Sequence, residues 1–297
     1  MKKSKDRIML YIIGYILVGL VGLLCLLPFV LVISASFSTE NEILKHGFSL
    51  LPRKLSLDAY RTVFDKPDVI LRAYLNTIMV TIIGTITGLF ITSMASYVLQ
   101  RKDFEWRNKF SFYFYFTTLF SGGLVPWYIM MVRGLRLKDS YLALIIPMLF
   151  SVFNMLVMKS YMSSGIPDTI TEAAIIDGCN DFAIYSKIIL PLSKPALATI
   201  GLFIGLAYWN DWYNSMLFIN TESKYTLQYF LYEKVNNIEA YKKIIAQGGT
   251  NIGTFIELPT QTLKMALTIV VTGPIILAYP IVQKYFVQGI TIGAVKG

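Results

Sequence analysis

The chain has 297 residues, of which 55% are hydrophobic and 15% charged, with a mean hydropathy of +0.57 and a formal net charge of +9. Soluble domains carry about 25% charged residues, so this composition excludes a water-soluble globule and predicts a polytopic inner-membrane protein. The Lys and Arg residues are scattered over short loops rather than gathered on one stripe, which favours anionic lipid headgroups over nucleic acid as their partner.

In chain order, Met1 to Arg7 is basic and precedes 26 apolar residues, Ile8 to Ile33. A secretory signal has an apolar region of roughly 7 to 15 residues, so this stretch reads as a retained first span. Six spans are predicted: Ile8 to Ser34, Asn76 to Leu99, Phe110 to Val132, Tyr141 to Met158, Ala196 to Phe218 and Leu263 to Tyr285. Between the first two, LSLDAYRTVF (Leu55 to Phe64) reads as a short amphipathic surface helix. The gap after the fifth span is polar and broken by Gly248, Gly249 and Pro259. Four Lys or Arg among the first seven residues place the N-terminus in the cytoplasm, and Arg101, Lys102, Arg107 and Lys109 agree. Arg133, Arg136 and Lys138 then face outside, against the usual bias. The expected division is 1–75 for the first span and an extracytoplasmic loop, 76–290 for the core with a polar loop at 163–195, and 291–297 for a cytoplasmic tail.

That polar loop holds TEAAIIDGCNDFAIYSKIILP between long apolar runs. Thr169 and Glu172 have the spacing of a capping box after Pro167 and Asp168, and Gly178 is the expected helix stop. The result is a helix of about eight residues, roughly 12 Å long and too short to span. Asp181 is placed to cap a second turn that runs to Pro191. The Ala173–Ala174 pair keeps one side low, so that another protein can approach closely, while Glu172 offers a carboxylate to a basic partner.

The pattern Glu172-Ala173-Ala174, Gly178, Ile188, Leu190, Pro191 resembles the EAA loop of ABC importer permeases, a cytoplasmic segment that fits a cleft in the ATPase subunit. Asn76-Thr77, Ala95-Ser96-Tyr97 with Arg101, Trp209-Asn210-Asp211 and the tail GITIGAVKG are similar to carbohydrate-uptake permeases of the maltose type, and Phe120 to Pro126 (FSGGLVP) to their LplC-like branch. The resemblance implies an all-α, six-span permease in the cell membrane with both termini cytoplasmic, acting in oligosaccharide import. It implies a second permease as heterodimer partner, two ATPase subunits that bind ATP and Mg, and an extracytoplasmic sugar-binding protein facing the Phe218 to Leu263 loop. On this chain Glu172, Ala173, Ala174, Asp177, Gly178 and Pro191 are the matching coupling positions.

The chain carries no G-x-x-x-x-G-K-[ST] loop for nucleotide, and with His46 as its only histidine it offers no Ser-His-Asp or zinc constellation. Cys25 and Cys179 have no disulfide or metal spacing. The sequence therefore reads as a non-enzyme that binds no cofactor of its own. The alternative class, an ion- or proton-coupled secondary transporter, calls for paired repeats and mid-span carboxylates, which are absent here. A sugar path needs aromatic faces and hydrogen-bonding groups. The candidates are Tyr115 and Trp127 in the third span and Trp209, Asn210 and Asp211 in the fifth, although such residues also form interfacial belts.

Overall fold

The structure, a computed structural model, describes residues 5–65, 67–246, 260–274 and 276. Among them the chain is helical between turns and loops, with a lone antiparallel bridge, Ser38 to Leu55, in place of any strand. The described residues divide into two compact units, one drawn from residues up to 68 together with 233–274, the other from residues 69–232.

The first unit opens with α1 (Lys5–Ser36), apolar all round and exposed from Met9 to Val30. A helix without a polar face belongs in lipid or against another apolar surface. Behind it, Tyr60 stacks on Phe37 at 4.9 Å, and its hydroxyl lies 2.9 Å from Ser36 Oγ. These contacts hold α3 (Asp58–Val63), the surface helix anticipated in LSLDAYRTVF, behind the short α2 (Glu40–His46). Glu40 has a second partner far along the chain. Its carboxylate accepts the backbone N–H groups of Gln261 (2.8 Å) and Thr262 (2.9 Å) and the hydroxyl of Thr260 (2.9 Å). It thereby caps the helix over residues 260–274, where the orphan amides and the helix dipole both favour an anion.

The second unit is built on α4 (Pro67–Gln100), whose 34 residues make a rod about 51 Å long, well beyond a hydrocarbon core of about 30 Å. Proline at its first position suits a turn that needs no N–H donor. Every fourth residue from Asn76 to Ser96 (Asn76, Val80, Gly84, Gly88, Thr92, Ser96) is buried, giving α4 a narrow face of mostly small side chains. Against it lies α12 (Lys194–Trp209), which carries Gly201 and Gly205 at the same spacing. A Cβ at Gly84 would fall 2.4 Å from the Tyr208 ring, one at Gly88 would lie 3.0 Å from the Leu149 carbonyl oxygen, and one at Gly205 would lie 3.4 Å from Thr85 Oγ1. Each G-x-x-x-G pair therefore admits side chains of the other helix, Tyr208 over Gly84 and Thr85 over Gly205, the kind of small-residue packing that lets helices approach where lipid removes the hydrophobic drive for association. The Tyr208 hydroxyl, buried beside them, donates to the Ile145 carbonyl at 2.7 Å.

The expected spans differ from the observed helices where the backbone breaks. Met9–Ser36 and Pro67–Gln100 are each long and apolar enough to cross a membrane unaided. Two bent pairs pass the same test together: Leu142–Met148 with Val152–Gly165 at 49°, and Asp181–Leu192 with Lys194–Trp209 at 83°. The first pair bends because Pro147 tightens α7 (Leu142–Ile145) into a 3₁₀ turn, after which Ser151 caps α8 (Val152–Gly165) afresh. The third span, expected unbroken over Phe110 to Val132, is split into α5 (Arg107–Thr117) and α6 (Leu124–Ile129). Gly123 at φ +86° is the reason, since that conformation suits glycine alone and does not continue a helix. A π turn, Met130–Gly134, extends α6. The fifth span, expected through Phe218, stops at Trp209 and restarts as α13 (Tyr213–Phe218). The second half of the expected sixth span, the tail 291–297 and the glycines at 248 and 249 lie outside the described residues.

Candidate functional site

The segment between α8 and α12 contains α9 (Asp168–Ile176), α10 (Asp181–Ile184), a π turn (Tyr185–Ile189) and the short α11 (Leu190–Leu192). Pro167, extended at φ −62° and ψ 138°, sets the start of α9 and leaves Thr169 inside the helix. The expected capping box of Thr169 and Glu172 is therefore not formed, because an N-cap must stand outside the first turn. Gly178, at φ +78°, ends the helix in a Schellman arrangement: the Cys179 N–H donates to the Ala174 carbonyl and the Gly178 N–H to that of Ile175, both at 3.0 Å. Asp177 is the residue just before that turn, exposed at the helix end. The second cap is also corrected. Asn180, rather than Asp181, accepts the Ala183 N–H at 2.8 Å, which frees the Asp181 carboxylate for another partner.

The two alanines divide the work expected of both. Ala174 is buried in the main core with Tyr97, Met162, Ile184 and Tyr185, while Ala173 and Glu172 are exposed. Ile175, Ile176 and Phe182 are exposed too, Ile176 at 85% of its surface. Glu172 has no ion-pair partner among the described residues. An apolar face with a free carboxylate at its edge is thus presented outward. Pro191 sits where the segment swings into α12, its missing N–H leaving a gap in the hydrogen-bond ladder just after the π turn.

The inner side of this segment is held by the end of α4. Arg101, only 12% exposed, donates to Asp103 and to Asp181, and to the Tyr97 hydroxyl at 3.0 Å. Lys102 pairs with Asp168 at the start of α9. The Arg101 guanidinium holds the Asp103 carboxyl below the usual carboxylate range. One turn back, Ser93 Oγ lies 2.7 Å from the Tyr185 hydroxyl, and the Tyr97 and Tyr185 rings are 5.5 Å apart. A cavity of about 150 Å³ between the 100–103 turn and α9 is lined by Arg101, Asp168, Glu172 and Ile175. Neither the Arg101–Asp181 pair nor the Lys102–Asp168 pair was foreseen, since opposite charges 80 and 66 residues apart leave no local pattern in sequence.

The second constellation surrounds the break in the third span. A cavity of about 620 Å³ is lined by Phe120, Ser121, Trp127, Met130 and Tyr213 together with the glycines at 122 and 123. Trp127 is the one expected path residue found there. Tyr115 lies on α5, exposed and outside the lining. Asn210 and Asp211 are engaged locally: the Asn210 amide donates to the Leu206 carbonyl (2.9 Å), and the Asp211 carboxylate accepts the Asn214 amides (3.2 and 2.9 Å) that start α13, whereas the buried Trp209 Nε1 has no hydrogen-bond partner among the described residues. Tyr213 and Phe120, which were not among the expected path residues, also line the cavity, and Tyr213 meets Trp212 edge to face.

Beyond the cavity, Asp139 ties the 133–140 loop to the 219–224 turn. It accepts from Thr221 (N–H 3.0 Å, hydroxyl 2.7 Å), from the Asn220 N–H (3.1 Å) and from Lys224 Nζ (2.9 Å). Those bonds, the Thr221 hydroxyl first and Lys224 next, hold its carboxyl well below the ordinary range. Among the described residues no three His, Cys, Asp or Glu side chains gather as a metal site would require.

No family model matches the chain. It is 40% identical over 298 residues to the polygalacturonan/rhamnogalacturonan transport system permease protein YtcP of Bacillus subtilis (strain 168), a match covering 99% of this chain and 100% of the relative. The chain belongs to the permeases of carbohydrate ABC importers. Protein LplC of the same organism is 37% identical, with 94% of this chain and 92% of the relative covered. A solved bacterial ABC transporter, involved in the import of the acidic polysaccharide alginate, contains a chain with TM-score 0.79 and 29% identity, covering 96% of this chain and 99% of that one. The permease is accordingly a transport subunit of the cell membrane.

Proposed function

We propose that this permease forms half of the translocation path of an ATP-driven oligosaccharide importer, pairing with a second permease and receiving the ATPase on the outer face of α9 and α10. ATP and Mg then belong to the ATPase subunit, and an extracytoplasmic sugar-binding protein delivers the substrate. One observation carries this reading. The α9–α10 segment, with exposed Ile175, Ile176 and Phe182 and a free Glu172, is tied to the end of α4 at the start of each helix through Lys102–Asp168 and Arg101–Asp181. Exposed apolar side chains on a polar segment mark a protein contact, and the ion pairs carry displacement of that contact into a membrane-spanning helix. With the N-terminus inside, the segment faces the cytoplasm, where an ATPase operates.

The test is uptake by the assembled importer in proteoliposomes, with a matched complex whose ATPase cannot hydrolyse ATP. Uptake by the active complex alone supports the reading. Uptake that persists with the disabled ATPase and follows an ion gradient replaces it with a secondary transporter.

A further inference from the structure

The break in the third span presents a problem in a membrane chain. Leu119, Phe120 and Ser121 lie in non-helical backbone inside a stretch long enough to cross the bilayer, and all are exposed in this chain. Irregular backbone is tolerated at membrane depth only where protein buries it or where it lines a water-filled cavity, because hydrocarbon cannot satisfy its N–H and C=O groups. Broken helices of this kind mark substrate sites in other transporters. Here the break opens onto the 620 Å³ cavity of Phe120, Ser121, Trp127 and Tyr213, within the size range of small-molecule sites. Two aromatic faces and a phenol suit the C–H faces and hydroxyls of sugar rings.

The charge that follows it in the chain is equally out of place. Met130 lines the cavity, Arg133 follows three positions later in the same π turn, and Arg136 and Lys138 continue the loop. All three cations are exposed, and none has an ion-pair partner among the described residues. Asp139, the loop's only acid, is taken up by Lys224 and Thr221. The loop is also stiff. Arg136 and Asp139 sit at φ +55° and +58°, and the Leu137 N–H donates to the Met131 carbonyl at 3.0 Å. Conformations costly to non-glycine residues persist only where the surroundings over-determine them. On the outer face these cations run against the positive-inside bias, so their placement calls for a reason other than topology.

We propose that the broken third span and the 133–138 loop form a subsite for an oligosaccharide that bears carboxylates, with Phe120, Trp127 and Tyr213 taking sugar rings and Arg133, Arg136 and Lys138 taking the acid groups. This rests on the importer reading and adds a substrate class to it. Guanidinium groups match carboxylates in bidentate geometry, and a stiff cationic loop raises the local concentration of an anionic chain.

The experiment uses the complete complex (both permeases, ATPase and binding protein) in vesicles of neutral lipid. It compares tri-galacturonate with its carboxyl-reduced neutral counterpart, for the native chain and the triple variant Arg133→Gln, Arg136→Gln, Lys138→Gln. The expected result is a native preference for the acidic trisaccharide and, in the variant, an uptake KM for that sugar raised about tenfold or more, with neutral uptake unchanged. No native preference, equal KM values, or an equal loss for both sugars overturns the subsite. So does a variant effect that appears only when anionic lipid is added, which assigns the cations to headgroups. Saturation-transfer NMR of tri-galacturonate on the detergent-solubilised complex of both permeases and the ATPase, without the binding protein, separates this idea from the importer reading. Binding that the triple variant loses sustains the subsite even if no ATP-driven uptake occurs, and absence of binding together with absence of uptake removes both.

Discussion

Arg101 donates to the carboxylate of Asp181, 80 residues further along, so the end of α4 grips the start of α10. Because the guanidinium is largely buried and also engages Asp103 and the Tyr97 hydroxyl, it acts as a fixed post rather than a loose surface charge. Replacing Asp181 with Asn removes the grip and leaves the rest of the post intact. ATP hydrolysis by the assembled complex is expected to continue, while uptake per ATP falls about tenfold, the scale of losing one well-placed charge pair. The reciprocal pair Arg101→Asp with Asp181→Arg should recover part of the loss. Normal coupling in Asp181→Asn would show that the pair is incidental.

Glu172 and Gly178 test the outer face of the same segment. Glu172→Lys reverses the exposed, unpaired charge and should weaken co-purification of the ATPase without disturbing insertion. At Gly178 an added Cβ meets nothing within 4 Å, so any cost arises in the backbone alone. Gly178→Ala should destabilise the Schellman turn by about 1 kcal/mol and Gly178→Val by roughly 1 to 3 kcal/mol, with uptake per complex falling in that order. Native rates in both Glu172→Lys and Gly178→Val would reduce the segment to a connection.

The seam between α4 and α12 predicts a stability effect with a built-in control. Gly84→Ala drives a Cβ into the Tyr208 ring, which the Ile145 carbonyl holds in place. Overpacking of this kind costs about 1 to 3 kcal/mol, and the complex should melt several degrees lower in detergent. Gly14→Ala, where a Cβ has open space, should leave the melting temperature unchanged. Equal behaviour of the two variants would deny the close approach.

Asp139 makes a pH prediction. Its folded pKa lies below the unfolded value of about 3.9, so its contribution is complete above that value and is lost only as the pH falls through the depressed one. Hydrogen exchange of the Asn220 and Thr221 amides, followed by mass spectrometry, should therefore show equal protection at pH 7 and pH 5 after correction for intrinsic rates. Asp139→Asn should lose that protection at both. Protection that fades between pH 7 and pH 5 in the native chain would mean the carboxylate is not held as described.

Topology is open to direct labelling. Single cysteines at Ser4, Ser56 and Lys296, in a background lacking Cys25 and Cys179, should react with an impermeant reagent from outside only at Ser56. Labelling at position 4 in intact cells would invert the orientation and move α9 away from any cytoplasmic ATPase.

The family and the short helix that ends at Gly178 were legible because each depends on local order. Glu172, Gly178 and Pro191 stand at fixed spacings, and the positive φ of Gly178 follows from a helix that must stop. The first two spans were legible as uninterrupted apolar runs, although α4 starts nine residues before the expected Asn76. Hydropathy averages over a break, so the third and fifth spans were drawn straight through Gly123 and Asn210, where one glycine conformation and one aspartate cap redirect the chain. The G-x-x-x-G pairs at Gly84–Gly88 and Gly201–Gly205 were readable signals left unused. Nothing local connects Arg101 to Asp181 or Trp127 to Tyr213, and only the folded chain brings them together.

Glu40 leaves the ribosome some 220 residues before the amides it caps. At about 5 to 20 residues per second, that is a wait of roughly 10 to 40 s during which the carboxylate must stay hydrated at the membrane surface. The helix over 260–274 therefore acquires its cap only once residues 260–262 have been made, and this tie cannot form in a chain stalled or truncated before them.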